Sequence, residues 1–300
     1  MRQKGGFASW DQVSHAQEYM VFSKNITTRL AIDESSLSQG ELHTFVSSRD
    51  TIGRKGKLVA MVSSTRSEKI AEVLHRIPKS QRELVQEVTL DMASSMRKAC
   101  ALAFPNAVLV TDRFHVVRLV LDAMQHVRID QRWKELDIEN QAIKRARSLG
   151  AKYKPLILSN GDTPKQLLAR AKYALYKMPH QWTITQIHRI SLLFQMYPKI
   201  EQAYRLAWDF RKIYTINSKS QAFKALQEWM EQVKDAAIDH FEIACASIEI
   251  HMEGILSFFN NRSTNAHAES FNAQIKLFRA NLRGVNDPKI FLYRLQKVFA

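Results

Sequence analysis

From residue 28 the chain alternates short apolar runs with stretches of helical period. Thr28-Arg29-Leu30-Ala31-Ile32 is a β-prone run closed by Asp33-Glu34-Ser35-Ser36. Glu41 to Ser48 and Lys57 to Ser63 predict two more strands, with turn chemistry in Gly53-Arg54-Lys55-Gly56 between them. Ser67 to Leu84 carries Ile70, Val73, Leu74 and Ile77 at helical spacing, broken or kinked at Pro78. Glu87 to Leu90 is a brief strand running into Asp91, and Met92, Met96, Ala99 and Ala103 then mark a helix face closed by Pro105. Ala107 to Val110 is continuously apolar, which predicts a central strand, and it ends in Thr111-Asp112. The order β-β-β-α-β-α-β predicts an α/β fold. Short turns make the first three strands antiparallel, and the later crossovers add parallel ones, giving a mixed five-stranded sheet with flanking helices.

Beyond Arg113 the strand signal disappears. Phe114, Val117, Leu121, Met124 and Val127 open a long amphipathic helix, and Gln186 to Phe210 and Gln221 to Ala246 keep the same period. Asn160-Gly161-Asp162-Thr163-Pro164 and Tyr197-Pro198 are breaks between helices. A last helix starts near Ser263-Thr264-Asn265, which offers N-cap residues, and ends at Gly284.

Composition changes this picture in one respect. The 44 Lys+Arg against 29 Asp+Glu give a net charge of +15, which favours a polyanionic partner. No apolar run is long enough to span a membrane, and Met1 to Met20 has no signal-peptide core. Two cysteines, Cys100 and Cys245, make neither a zinc module nor a disulfide framework, so the chain reads as intracellular.

The chemistry lies in the acids that close strands. Asp33 and Asp91 end two of them, and Glu269 sits in the last helix. Carboxylates at neighbouring strand ends hold hard divalent cations, and two such ions stabilise an in-line phosphoryl displacement. Chance alone puts some of 29 acids at strand ends, so spacing by itself is weak evidence. Asp112 also ends a strand. If the first three strands meander and the next crosses over, the Asp91 strand lies beside the Asp33 strand and the Asp112 strand one further away, about 10 Å from Asp33. Asp91 is therefore the expected partner. On the last helix Ala268, Phe271, Ile275, Phe278 and Leu282 form a buried stripe, and Asn265, Glu269, Asn272 and Lys276 form a separate polar face. Such a face is commonly just solvated, but two asparagines and one acid fit a metal-and-phosphate surface. Asp112 and His115 stand three apart at a helix start, either as an ordinary cap or as support for the active carboxylates. Among the helical cations Arg189, Arg205, Arg211 and Lys212 are the expected phosphate contacts, while Trp133, Trp182, Trp208 and Trp229 are expected to be mostly core.

AIDESS at 31–36, VTLDMASSMRKACALAFPNAVLVTDRFHVVR at 88–118 and STNAHAESFNAQIKLFRANLRG at 263–284 resemble bacterial DDE transposases of the insertion-sequence L-three family. The run Asp112-Arg113-Phe114-His115 is similar to a signature shared with Mutator-like and hAT-like elements. The resemblance implies a ribonuclease-H-like core over 28–125 and 257–300, interrupted by an all-helical insertion over 126–256 and preceded by a linker over 1–27. It implies Asp33, Asp91 and Glu269 as catalytic metal ligands for two Mg²⁺ ions, with Mn²⁺ as a substitute. Asp112, His115, Asn265 and Asn272 would support them, and Lys276 would join the DNA contacts. Its activity would be strand cleavage at element ends followed by 3′-hydroxyl transfer into target DNA. The protein would act as a homodimer or higher assembly on DNA, in the cytoplasm at the nucleoid, with no membrane partner. Relatives carry an N-terminal zinc-binding and helix-turn-helix region. With no cysteine before Asp33, the chain resembles the catalytic region alone. The alternatives are a nuclease of the same fold without strand transfer, and an inactive remnant that occupies element ends.

Overall fold

A computed structural model describes residues 19–38, 41–51, 56–282 and 288–300. The chain divides into two compact units, Met1–Phe114 with Glu253–Ala300, and His115–Met252. The expected turn at Gly53-Arg54-Lys55 and the helix stop at Gly284 lie outside the described residues.

The first unit holds strands β1 (Tyr19–Val21), β2 (Arg29–Ser38), β3 (Glu41–Ser48), β4 (Leu58–Val62), β5 (Glu87–Leu90) and β6 (Val108–Thr111). Its helices are α1 (Ser67–Leu74), α2 (Lys79–Arg82), α3 (Ser94–Ala103), α10 (Met252–Asn261), α11 (Ala266–Asn281) and α12 (Pro288–Phe299), α10 starting one residue before the unit resumes. The sheet order is β1-β4-β3-β2-β5-β6, with β2/β3, β3/β4 and β1/β4 antiparallel and β2/β5 and β5/β6 parallel. Three expectations are corrected here. Asp33 does not close its strand: β2 runs on through it to Ser38, because pairing with β3 continues past the residues that pair with β5. Among the described residues the sheet has six strands, because Tyr19–Val21 adds to the free edge of β4 from within the stretch read as a linker. A three-residue strand carries too little pattern to be read. Nor is β6 central: it is the opposite edge, and Val108 is 45% exposed. An apolar run does not by itself report a neighbour on both sides: in β6 only Val110 and Thr111 are buried.

The period-two alternation of strands sorts side chains between two helical layers. Leu30, Ile32, Val88 and Leu90 pack with Ile70, Leu74, Met96, Ala99 and Cys100 of α1 and α3. On the other face Phe45 and Met61 pack with Phe271 and Ile275 of α11 and with Phe291, Leu295 and Phe299 of α12. α10 approaches the sheet at Gly254. A Cβ there would stand 1.9 Å from Arg97 Nη2 and 2.3 Å from Thr111 Oγ1, two atoms already hydrogen-bonded at 3.1 Å. Gly254→Ala gains about 1 kcal/mol of helix propensity but overpacks the buried Thr111 at a cost of about 1–3 kcal/mol. Chemical denaturation should show a net loss of stability, and a gain would mean that Arg97 and Thr111 move aside freely.

The second unit is entered by α4 (Arg113–Ser148) and continues through α5 (Pro164–Arg170), α6 (Ile184–Met196), α7 (Pro198–Ile213), α8 (Lys219–Ala236) and α9 (Asp239–Ile250). Helix breaks fall where Gly161, Pro164 and Pro198 put them. Trp229 is buried 4.7 Å from the Phe210 ring and donates its indole N–H to the Leu206 carbonyl at 2.8 Å, while Trp133 is exposed. Among the described residues no helix is long and apolar enough to cross a membrane.

Candidate active site

Register places three acids on one line. Ala31 lies opposite Thr89 in the parallel β2/β5 pair, which carried two residues on sets Asp33 level with Asp91. Leu90 lies opposite Thr111 in β5/β6, which sets Asp91 level with Asp112. Because Leu30, Ile32, Val88 and Leu90 face α1 and α3, alternation turns all three acids toward the α11 face. Asp91 is one strand from Asp33 and Asp112 two, as the strand-order argument expects.

Each carboxylate is held. Asp33 Oδ2 accepts from Asn272 Nδ2 at 2.7 Å, and its Oδ1 accepts from the Glu34 backbone N–H at 2.8 Å. Asp91 Oδ1 accepts from the Ala93 N–H at 2.7 Å, an Asx turn that leads into α3. Asp112, 1% exposed, accepts the Asn265 backbone N–H on Oδ1 at 2.9 Å.

α11 brings the remaining groups because its Ala268, Phe271 and Ile275 stripe is buried against the sheet. Asn265 occupies the N-cap position, yet its side chain makes no cap bond. Its Oδ1 accepts from Thr89 Oγ1 at 3.0 Å, and its Nδ2 donates to the Ile32 carbonyl at 3.3 Å. One fully buried asparagine thus joins the start of α11 to the strands that carry Asp33, Asp91 and Asp112. Its polar atoms are taken up by protein. Glu269 is exposed, and one of its carboxylate oxygens lies within 4.8 Å of one from Asp112. Lys276 is exposed further along the helix, and His115 stands in the first turn of α4, one helical turn after Asp112.

Like charges are crowded here. Burial first, then the charges of Asp91 and Asp33, push the Glu34 carboxyl above its ordinary range. Sequence reasoning passed over Glu34, although it stands beside Asp33 in AIDESS. Neighbouring strand residues nominally face apart, and only the three-dimensional placement brings its charge near Asp91.

The second unit's expected phosphate contacts carry intramolecular partners. Arg189 Nε reaches the buried Asp162 at 3.2 Å, which Arg170 also pairs. Arg205 pairs with Glu201 at 2.6 Å, Lys212 with Asp209 at 2.7 Å, and the Arg211 guanidinium lies 4.1 Å from the Trp208 ring centroid. The Arg205 and Lys212 pairs are exposed, so they are weak and exchangeable for phosphate.

Comparison with known proteins agrees with these motifs. The family described as transposase, of the DDE insertion-sequence L-three type, matches residues 30–295. The chain is similar to the transposase for insertion sequence element IS1001 of Bordetella parapertussis, 21% identical over 90% of this chain and 60% of that protein. It is also similar to the transposase for insertion sequence element IS1557 of Mycobacterium tuberculosis, 23% identical over 69% of this chain and 46% of that protein. The chain therefore spans roughly half of the curated relatives it matches. No solved structure matches it. A match over nearly the whole chain places it in the DDE transposase family of insertion sequences.

Proposed function

We propose that this chain is the catalytic part of a DNA transposase, with a ribonuclease-H-like core over 28–125 and 257–300 and an all-helical insertion over 126–256. It cleaves strands at element ends and transfers the freed 3′-hydroxyl into target DNA. The observation that carries the reading is the line of Asp33, Asp91 and Asp112 at one register level on one face, with Glu269 on the helix that packs against that face.

The donor set fits a hard divalent cation. It is all oxygen, and the buried Oδ1 of Asn272, next to Asp33, has no hydrogen-bond partner. Asp33, Asp91 and Glu269 would hold two Mg²⁺ or Mn²⁺ ions. When bound, such ions supply Lewis-acid stabilisation of the charge that builds on a phosphodiester in flight. Asn272 fixes the rotamer of Asp33, the Ala93 N–H fixes Asp91, and Asn265 sets the height of Glu269 over the strands. Asp112 and His115 support this arrangement. The approach of Asp112 to Glu269 within 4.8 Å favours a second reading, in which Asp112 is itself a ligand alongside Glu269. The +15 charge, with Lys276, Arg189, Arg205, Arg211 and Lys212, supports a duplex held across many phosphates by a homodimer or higher assembly.

The test is incubation of the protein with Mg²⁺ and a labelled duplex bearing the native element ends, together with a target plasmid. Nicked ends that become joined to target support the proposal. Nicks without joining move the function to a nuclease, and neither product moves it to an inactive remnant.

A further inference from the structure

We infer that Lys57, with Arg49 beside it, forms a contact for a backbone phosphate of DNA, on the flank of α11 turned away from Glu269. The inference rests on the nucleic-acid reading above, but not on its chemistry. Lys57 enters β4 with a pinned backbone: its N–H donates to the Phe299 carbonyl at 3.0 Å, and its carbonyl accepts from the Ser48 N–H at 2.9 Å. The residue is only 5% exposed. Its ammonium stands 5.8 Å from the centroid of the buried Phe271 ring. Among the described residues no carboxylate or hydrogen-bond acceptor pairs with that ammonium.

The acids nearby are committed elsewhere. Asp50 pairs with Arg29 at 2.6 Å, and Glu87 pairs with Arg49 while also accepting from Asn261 at 3.0 Å. Arg49 keeps a buried Nε donor with no partner. Two nitrogen donors that lack acceptors therefore stand on adjoining ends of β3 and β4. Burial holds the Lys57 ammonium below its ordinary range.

A buried ammonium is costly unless an anion answers it, and a ring face repays only part of that cost. The stem alone could be covered in this way while the tip reached for water. What separates this site from ordinary snorkelling is the second orphaned donor beside it, Arg49 Nε. The anion that the proposed function brings is a phosphodiester. His267 and Phe271 lie one turn apart on the same side of α11. Glu269, two residues from His267, lies about 200° around the helix from it. A duplex lying across α11 therefore meets Lys57 with a different phosphate from the one at the acids.

The experiment is fluorescence anisotropy of a random-sequence duplex in EDTA, so that no cleavage enters, between about 50 and 200 mM salt. Lys57→Met should bind about tenfold more weakly at the low-salt end and lower the salt slope by about 0.9, the loss of one phosphate contact. Its DNA-free melting temperature should stay level or rise, because an unanswered buried charge is gone. Lys57→Arg, which keeps the charge, should retain the parental slope. If Lys57→Met does not fold, Lys57→Gln reads the same slope. A parent with a steep slope and a Lys57→Met protein with the same slope would overturn this inference and leave the transposase reading standing. A parent with no salt-dependent binding would overturn both.

Discussion

Asp91→Asn should abolish strand cleavage while leaving the metal-free fold at least as stable as the parent. The substitution keeps the shape that accepts the Ala93 N–H at 2.7 Å and removes one charge from a crowded group. Repulsion in that group is visible at Glu34, whose carboxyl is raised by burial, by Asp91 and by Asp33. A carboxyl raised in the folded state binds more protons folded than unfolded. Its contribution to stability is therefore full below the ordinary Glu range and lost as pH rises through the folded value. At neutral pH the metal-free parent carries that loss, and Asp91→Asn relieves part of it. Its melting temperature in EDTA should match or exceed the parent's, and the rise on adding Mg²⁺ should shrink. Cleavage should fall by more than the roughly 10–100-fold typical of outer partners of a metal site. Glu269→Gln should behave alike. Asp112→Asn decides between the two readings of the site: a loss within about 10–100-fold makes it a support, and a loss as deep as that of Asp91→Asn makes it a ligand. An Asp91→Asn protein that cuts as fast as the parent would sink the assignment.

Much of this arrangement is legible in the sequence because register is an integer. Once β5 is placed beside β2 with Ala31 opposite Thr89, Asp33 and Asp91 share a level, and period-two alternation decides the face. The Ala268, Phe271 and Ile275 stripe is readable for the same reason. What the sequence hides is contact at a distance. Asn265 reads as a helix cap, since Asn at that position ordinarily bonds the first turn, yet its side-chain amide reaches two strands and its backbone N–H reaches Asp112. The approach of Asp112 to Glu269 depends on where α11 comes down on the sheet, which no periodicity encodes. Arg189 reads as a free cation because nothing in its helix reveals the buried Asp162, 27 residues earlier. Tyr19–Val21 is invisible because a strand of three residues is defined by the edge it joins rather than by its own pattern.

Asn265 offers the sharpest test of how α11 is set. Asn265→Ala keeps the backbone N–H to Asp112 but loses two buried side-chain hydrogen bonds, each worth about 0.5–1.5 kcal/mol. Thr89 Oγ1 retains the Leu30 carbonyl at 3.4 Å, so its hydroxyl is not wholly orphaned. A stability loss of about 2–3 kcal/mol is expected by denaturant titration once the small cavity is added. Cleavage should fall by about 100-fold although every acid remains, because a shift of about 1 Å in Glu269 suffices for that. Asn265→Asp, nearly isosteric, should be worse at neutral pH. It keeps the acceptor for Thr89 but sets a carboxylate oxygen against the Ile32 carbonyl, fully buried and close to Asp112. Burial and the Asp112 charge would raise the new carboxyl above the unfolded value of about 3.9. The folded state then holds a proton that the unfolded chain has released, so stability falls as pH climbs from about 4 through the raised value. Asn265→Asp should therefore be more stable at about pH 5 than at pH 8, by close to 1.4 kcal/mol for each unit of pH within that window. An Asn265→Asp protein as stable as the parent at pH 8 would mean that the N-cap asparagine does not hold α11 to the sheet, and that Glu269 is placed by the apolar stripe alone.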